Sequence, residues 1–154
     1  RSLTGEKLKQ LFADGAREYV KAMEIAKRGE ESRGEERTVN AGRYRGEWSN
    51  GQMHGLGHLT RSDGGRYSGQ FEANRPHGYG KIVMCDGGQY IGQFKTGRYH
   101  GVGNIRLANG DQYRGTFEGG TYHGYGEYKS KAGKSSMGIW ANGKLERPLQ
   151  MEGK

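Results

Sequence analysis

Residues 44–66 read YRGEWSNGQMHGLGHLTRSDGGR, and the phrase returns as YSGQFEANRPHGYGKIVMCDGGQ at 67–89, YIGQFKTGRYHGVGNIRLANGDQ at 90–112 and YRGTFEGGTYHGYGEYKSKAGKS at 113–135. A broken fifth copy, SMGIWANGKLE, starts at Ser136. Each copy holds Tyr-x-Gly-x-aromatic, then His-Gly-x-Gly, then a glycine-bearing turn. A period of 23 residues kept without insertion over four copies is the signature of a repeat architecture, in which units are stable only when stacked on their neighbours.

Within one unit, Tyr44, Gly46 and Trp48 alternate and share one face of a strand, with Arg45 and Glu47 on the other. Asn50-Gly51 follows, a strong two-residue hairpin signal because both central positions take positive φ. Closing that turn without irregularity sets Trp48 opposite Met53, Gly46 opposite Gly55 and Tyr44 opposite Gly57, so the aromatic face lies over glycines. The second turn, at Asp63-Gly64-Gly65, is decided by parity. A two-residue loop sets Tyr67 opposite Thr60 and puts the next aromatic set on the wrong face, whereas a three-residue loop sets Tyr67 opposite Arg61 and keeps one aromatic face throughout. Three-residue loops with a glycine-assisted bulge are therefore expected around Gly64, Gly87, Gly110 and Gly133. The fold class is mainly β: an elongated single-sheet antiparallel meander of 23-residue β-hairpin repeats, of nine or ten short strands, with an N-terminal α-helix.

Four segments follow. Residues 1–28 hold the helix, read over 3–28 with Thr4 as N-cap and Leu8, Leu11, Phe12, Ala16, Tyr19, Val20, Met23 and Ala26 on one apolar face. Residues 29–41, GEESRGEERTVNA, carry charge without apolar period and read as a solvated linker. The array occupies 42–146 and a tail 147–154. The helix is expected to serve as a lid on the aromatic face or a cap on the first strand, ahead of an arm docking to another protein. A membrane-surface role is disfavoured because Glu6, Asp14, Glu18 and Glu24 balance its cations.

Composition agrees with this plan. Leu, Ile, Val and Phe make up only 21 of 154 residues, too few for a large aliphatic core, while ten Tyr and two Trp argue against plain disorder. No run is long and apolar enough to span a bilayer and no secretory signal pattern is present. The single Cys85 cannot close an internal disulfide, which points to a reducing, intracellular setting, soluble or peripheral to a membrane or cytoskeletal assembly. Opening at Arg1 is compatible with a fragment or with presequence removal into an organelle.

His54, His77, His100 and His123 recur every 23 residues, but equivalent positions lie two strands apart, about 9–10 Å, too far to share a zinc ion. Each is expected to face Glu47, Gln70, Gln93 or Thr116 and to hydrogen-bond there. No helix follows the glycine-rich phrases, so they are turns rather than phosphate loops. No Ser, His and carboxylate arrangement supports catalysis, and neither a cofactor nor a metal is expected. The net charge of +8 falls mainly on the repeats. Arg43, Arg45, Arg66, Arg114, Lys129, Lys131 and Lys134 are candidate contacts for an acidic partner or anionic lipid. Interspersed acidic residues argue against nucleic acid.

The phrase Tyr-x-Gly-x-Trp/Phe-x-x-Gly-x-x-His-Gly-x-Gly at this spacing resembles the MORN (membrane occupation and recognition nexus) repeat over residues 44–146. Asn74 replaces the turn glycine, Pro76 follows it, and Ser136 replaces the fifth Tyr. The resemblance implies a non-catalytic scaffold or adaptor, a structural or anchoring subunit of a larger assembly, that lays a partner peptide or helix along an aromatic groove. That groove maps onto Tyr44, Trp48, Tyr67, Phe71, Tyr90, Phe94, Tyr113, Phe117 and Trp140. The alternative is a peripheral module for acidic phospholipids or phosphoinositides. On the groove reading, Phe94→Ala with Tyr113→Ala removes partner capture and leaves the array folded.

Overall fold

The computed structural model describes residues 5–149. Helix α1 (Gly5–Glu30) precedes one antiparallel sheet of eleven strands: β1 (Glu35–Val39), β2 (Gly42–Ser49), β3 (Gln52–Arg61), β4 (Arg66–Glu72), β5 (Arg75–Val83), β6 (Gln89–Lys95), β7 (Arg98–Arg106), β8 (Gln112–Glu118), β9 (Thr121–Lys129), β10 (Ser135–Ala141) and β11 (Lys144–Pro148). Strand order equals chain order and the sheet does not close. The expected meander is present, with one strand more than expected at its start. Thr4 lies outside the described residues, as do the side chain of Leu8 and residues 150–154 of the tail.

That extra strand corrects the reading of 29–41 as a solvated linker. Glu35–Val39 pairs with β2, and its carbonyls and charges find partners there. Trp48 Nε1 donates to the Glu35 carbonyl at 3.2 Å, the Arg37 guanidinium lies 4.6 Å from the Trp48 ring centre, and Arg43 pairs with Glu36. An edge strand with one face in water needs no apolar period, so its residues gave no hydrophobic signal. At the other end, β11 runs through Pro148, two residues into the expected tail.

The register differs from the simple hairpin. Trp48 pairs with Met53 as expected, but Gly46 pairs with Gly57 and Tyr44 with Leu59, because His54, Gly55 and Leu56 together oppose Glu47. Gly55 takes φ +65°, the left-handed region that favours glycine. Glu47 Oε1 accepts the Leu56 N–H at 2.7 Å. Gln70 and Gln93 do the same for Tyr79 and Val102 at 2.8 Å, and Thr116 Oγ1 donates to the His123 carbonyl. The residues expected to serve the histidines thus serve the backbone of the bulge. His77 and His123 instead turn to Glu72 (3.2 Å) and Glu118 (3.4 Å).

The second turns are three-residue loops with a glycine-assisted bulge, as expected, but start one residue earlier, at 62–64. Arg61 N–H donates to the Gly65 carbonyl (2.7 Å), Gly64 N–H to the Arg61 carbonyl (3.0 Å), and Asp63 Oδ1 accepts Gly65 N–H (2.8 Å). Tyr67 then pairs with Leu59 instead of Arg61. A shift of two preserves parity, so one aromatic face is retained. Ala73 and Asn74 both take positive φ, so the second hairpin closes like the others despite lacking the glycine. Asn74 Oδ1 also accepts Met53 N–H at 2.8 Å, tying it to the first hairpin.

The bulges bring glycines into line across the sheet. Gly46, Gly57, Gly69, Gly80, Gly92, Gly103, Gly115, Gly126 and Gly138 are successive cross-strand partners. On the face away from the rings this row is a trough without side chains, and α1 lies along it. The helix is therefore neither a lid on the aromatic face nor a cap on the first strand. It meets the sheet through Gly15, Glu18, Ala22, Ala26 and Gly29, with Ala22 and Ala26 buried. Of the expected apolar stripe, Ala26 meets the sheet and Leu11 and Phe12 are half-buried, while Ala16, Tyr19, Val20 and Met23 are exposed, since a narrow trough admits small residues and excludes larger ones. Tyr79 Oη donates to Glu18 (2.6 Å), as does Gln93 Nε2 (3.1 Å), and Arg45 donates to the Ser32 (2.8 Å) and Glu30 (2.7 Å) carbonyls.

A β-carbon on Gly29 would lie 2.6 Å from Gly69 N and 2.7 Å from the Gly57 carbonyl oxygen. Alanine is the better helix former by about 1 kcal/mol, so a loss on Gly29→Ala reports the contact and not the helix. Gly29→Ala is expected to lift the end of α1, seen as faster amide hydrogen exchange over 18–30 with β4–β9 unchanged. Unaltered protection of α1 would show that the close approach is dispensable.

Candidate functional site: the aromatic face

The nine aromatic residues singled out in the sequence meet in one unbroken chain of edge-to-face contacts. It runs Trp48, Tyr44, Phe71, Tyr67, Phe94, Tyr90, Phe117, Tyr113, Trp140, with ring centres 4.9–5.4 Å apart and planes 80–87° apart. Edge-to-face pairs set the positive ring edge against the negative ring face, contributing about 0.5–1.5 kcal/mol each beyond burial. Tyr44, Tyr67, Tyr90 and Tyr113 lie across the glycine row: a β-carbon on Gly57 would sit 2.6 Å from Tyr44 Cζ, and one on Gly80 2.6 Å from Tyr67 Cε1. Each of the four hydroxyls donates to the carbonyl three residues on, at 2.7–3.0 Å. The polar end of each ring is thereby satisfied inside the protein.

Burial changes the role of these residues. All but Trp48 are buried, and the four tyrosines are at most 1% exposed. They form the core of the sheet instead of an open binding surface, which corrects the expectation that Phe94 and Tyr113 can be removed from a folded array. What the face offers to solvent is a second row that sequence reading missed: Tyr99 and Tyr122 stacked flat on Tyr90 and Tyr113 at 4.0 Å, Tyr128 against Tyr122 and Trp140, and half-buried Met84, Leu107 and Leu145. Tyr99 and Tyr122 stand one period apart, at the position of Met53 and Pro76 in the earlier copies. The chemical type changes from copy to copy there, so no repeated letter marked the row.

The basic candidates divide as well. Arg43 is paired with Glu36 and Arg45 with carbonyls at the end of α1. Arg114 pairs with Glu127 at 2.8 Å while its guanidinium lies 3.8 Å from the Phe12 ring centre. Arg66, Lys129, Lys131 and Lys134 are exposed. Among the described residues no cluster of His, Cys, Asp or Glu has the form of a metal site, and no helix is long and apolar enough to cross a membrane.

Burial pushes the phenol of Tyr44 up to about 12 and those of Tyr67, Tyr90 and Tyr113 further in the same direction. In the unfolded chain a phenol ionises near pH 10, so above that pH the unfolded state holds fewer protons than the folded one. Stability from these four residues is then complete below about pH 10 and is lost as pH rises above it. Urea midpoints are expected to hold level from pH 8 to about 9.5 and fall at pH 11. A level midpoint at pH 11 would mean that the rings do not stay neutral through burial.

Comparison with known proteins agrees with this geometry. The MORN repeat model matches residues 44–66, 67–89, 90–112 and 113–135, and each matched unit runs from a core tyrosine through the following three-residue loop to the first residue of the next strand. Among curated proteins the chain has no significant match. With four consecutive matches covering more than half of the chain, each coinciding with one tyrosine-over-glycine hairpin pair, the chain belongs to the MORN repeat family.

Proposed function

We propose that this chain is a non-catalytic scaffold or adaptor whose aromatic face binds a segment of a partner protein, as an anchoring or structural subunit of a larger assembly. Membership of the family points to a repeat scaffold or membrane-associated module. The observation that carries the narrower reading is the second row of rings. Tyr99, Tyr122, Tyr128 and Trp48 are large, amphipathic and half-exposed on a sheet whose own core already fixes them. Rings held rigid before binding lose little conformational entropy on contact, and Tyr and Trp are favoured as anchors at interfaces. The eight buried rings shape that surface from beneath. Exposed Lys129, Lys131 and Lys134 lie near its β9–β10 end, where they would orient an acidic segment.

The test is capture from native lysate by the full chain under chemical crosslinking at physiological salt, with crosslinked sites mapped by mass spectrometry. Partner crosslinks around Tyr99 and Tyr122 are expected, and Tyr99→Ala with Tyr122→Ala should reduce recovery about tenfold, the equivalent of ~1.4 kcal/mol, while the sheet persists by circular dichroism. Phe94→Ala with Tyr113→Ala should instead cost about 3–5 kcal/mol per ring and unfold the array. If no protein is enriched and the chain recovers with acidic lipid, a peripheral phospholipid module replaces the scaffold.

A further inference from the structure

Asn-Gly occurs at 50–51, 109–110 and 142–143, each time in a turn. In this pair the glycine nitrogen, with no β-carbon beside it, can reach the side-chain carbonyl carbon of the preceding asparagine. Attack requires that nitrogen to give up its proton, so an N–H already donated to a carbonyl is held back. The fold treats these N–H groups differently. From the second hairpin onward, the second residue of each tight turn donates its N–H to a carbonyl of the hairpin before it: Asn74 to Met53 (3.1 Å), Gly97 to Pro76 (2.9 Å), Gly120 to Tyr99 (3.1 Å) and Gly143 to Tyr122 (3.1 Å). Gly51 opens the series and has no hairpin before it. Strand β1 runs beside Gly42–Gly46 and stops short of the turn, and among the described residues the Gly51 N–H meets no acceptor.

Asn142-Gly143 is the matched control for Asn50-Gly51. Both pairs are exposed, and their backbones agree: φ is +51° and +76° in the first turn, +52° and +81° in the last. What separates them is the bond from Gly143 N–H to the Tyr122 carbonyl. At Asn109-Gly110 both groups are engaged. Gly110 N–H donates to the Leu107 carbonyl at 2.9 Å, and Asn109 Oδ1 accepts Asp111 N–H at 2.9 Å. Of the three pairs, the first alone has its attacking nitrogen free.

We propose that Asn50 is a site of spontaneous deamidation selected by the fold, while Asn109 and Asn142 keep their amides because the following N–H is bonded. Gly51 N gives up its proton and bonds to Asn50 Cγ. The Cγ–Nδ2 bond breaks, and the displaced nitrogen takes that proton and leaves as ammonia. Water then opens the cyclic imide at either carbonyl, giving aspartate, or isoaspartate with the backbone routed through Cβ and Cγ. Nothing but water is consumed. Either product adds a negative charge to the turn, and isoaspartate lengthens the backbone where Ser49 is set opposite Gln52 and Trp48 opposite Met53. Trp48 is the one ring of the edge-to-face chain that is not buried, so the change acts on the open end of the aromatic face. Because repeats touch only their neighbours, it stops there.

The experiment incubates the full chain in ¹⁸O-labelled water at mildly alkaline pH and body temperature, folded and, in parallel, unfolded in urea. Peptide mapping with electron-transfer fragmentation then reads aspartate and isoaspartate at each site, and the label separates conversion during incubation from conversion during digestion. Given what one hydrogen bond contributes, Asn50 in the folded chain is expected to convert roughly three- to tenfold faster than Asn109 or Asn142. In urea the three rates should converge. Thr96→Asn puts the same dipeptide into a turn that already has φ +51° at position 96 and a bonded Gly97 N–H. That site should convert as slowly as Asn142. In the converted fraction, amide hydrogen exchange should quicken over 46–56 and stay unchanged over β6–β9. Equal rates at Asn50 and Asn142 in the folded chain, no conversion at Asn50, or conversion of the Thr96→Asn site as fast as Asn50 would overturn the proposal.

Discussion

A tyrosine ring laid across a pair of glycines is the contact from which the rest of this structure follows. A ring can lie flat on a strand only where the strand beneath has no β-carbon, and Gly57, Gly80, Gly103 and Gly126 supply those places. The hydroxyl then reaches the carbonyl three residues on and fixes the bend. With the tyrosine held, the phenylalanine of the next unit meets its face edge-on, so each repeat is locked to its successor by ring geometry rather than by aliphatic volume. This is how a chain poor in Leu, Ile and Val can still build a core.

The same glycines shape the opposite face. A row of residues without side chains crosses the sheet as a trough, and only a helix with small residues on one side can enter it. Ala22, Ala26 and Gly29 do so, Gly29 approaching the backbone of Gly57 and Gly69. Two layers result from one requirement, and neither needs a conventional apolar helix stripe. The trough also explains why Tyr19, Val20 and Met23 of α1 are displaced to its exposed side.

Legibility in the sequence follows from which features repeat. The period, the single aromatic face, the three-residue loops and all nine rings of the edge-to-face chain are readable, because each recurs at fixed spacing and parity restricts the alternatives. The bulge opposite Glu47 was not. It depends on a side chain reaching a backbone N–H, a role that Glu47, Gln70 and Gln93 fill with different residue types. Strand β1 was missed because an edge strand of charged residues has no apolar alternation. The face of α1 was misread because amphipathicity favours the large residues, while the trough selects the small ones. Burial of the rings was underestimated for a related reason: the bulge folds each hairpin over its own tyrosine, and a flat ladder leaves those rings open.

The division between fixed and variable positions has a consequence for recognition. Tyr44, Tyr67, Tyr90 and Tyr113 with their glycines carry the fold and tolerate little change. The row Met53, Pro76, Tyr99, Tyr122 and Leu145 recurs at the same spacing, differs in every copy but two, and apart from the buried Met53 is partly open to solvent. Because each repeat touches only its neighbours, a substitution in that row alters the chemistry of one stretch of the face without propagating along the sheet. The outward row can therefore be written residue by residue for a partner while the inward one keeps the scaffold constant. In this chain that stretch is aromatic and concentrated in the third and fourth repeats, and on the proposed scaffold reading it is there that selectivity for a bound segment would be encoded.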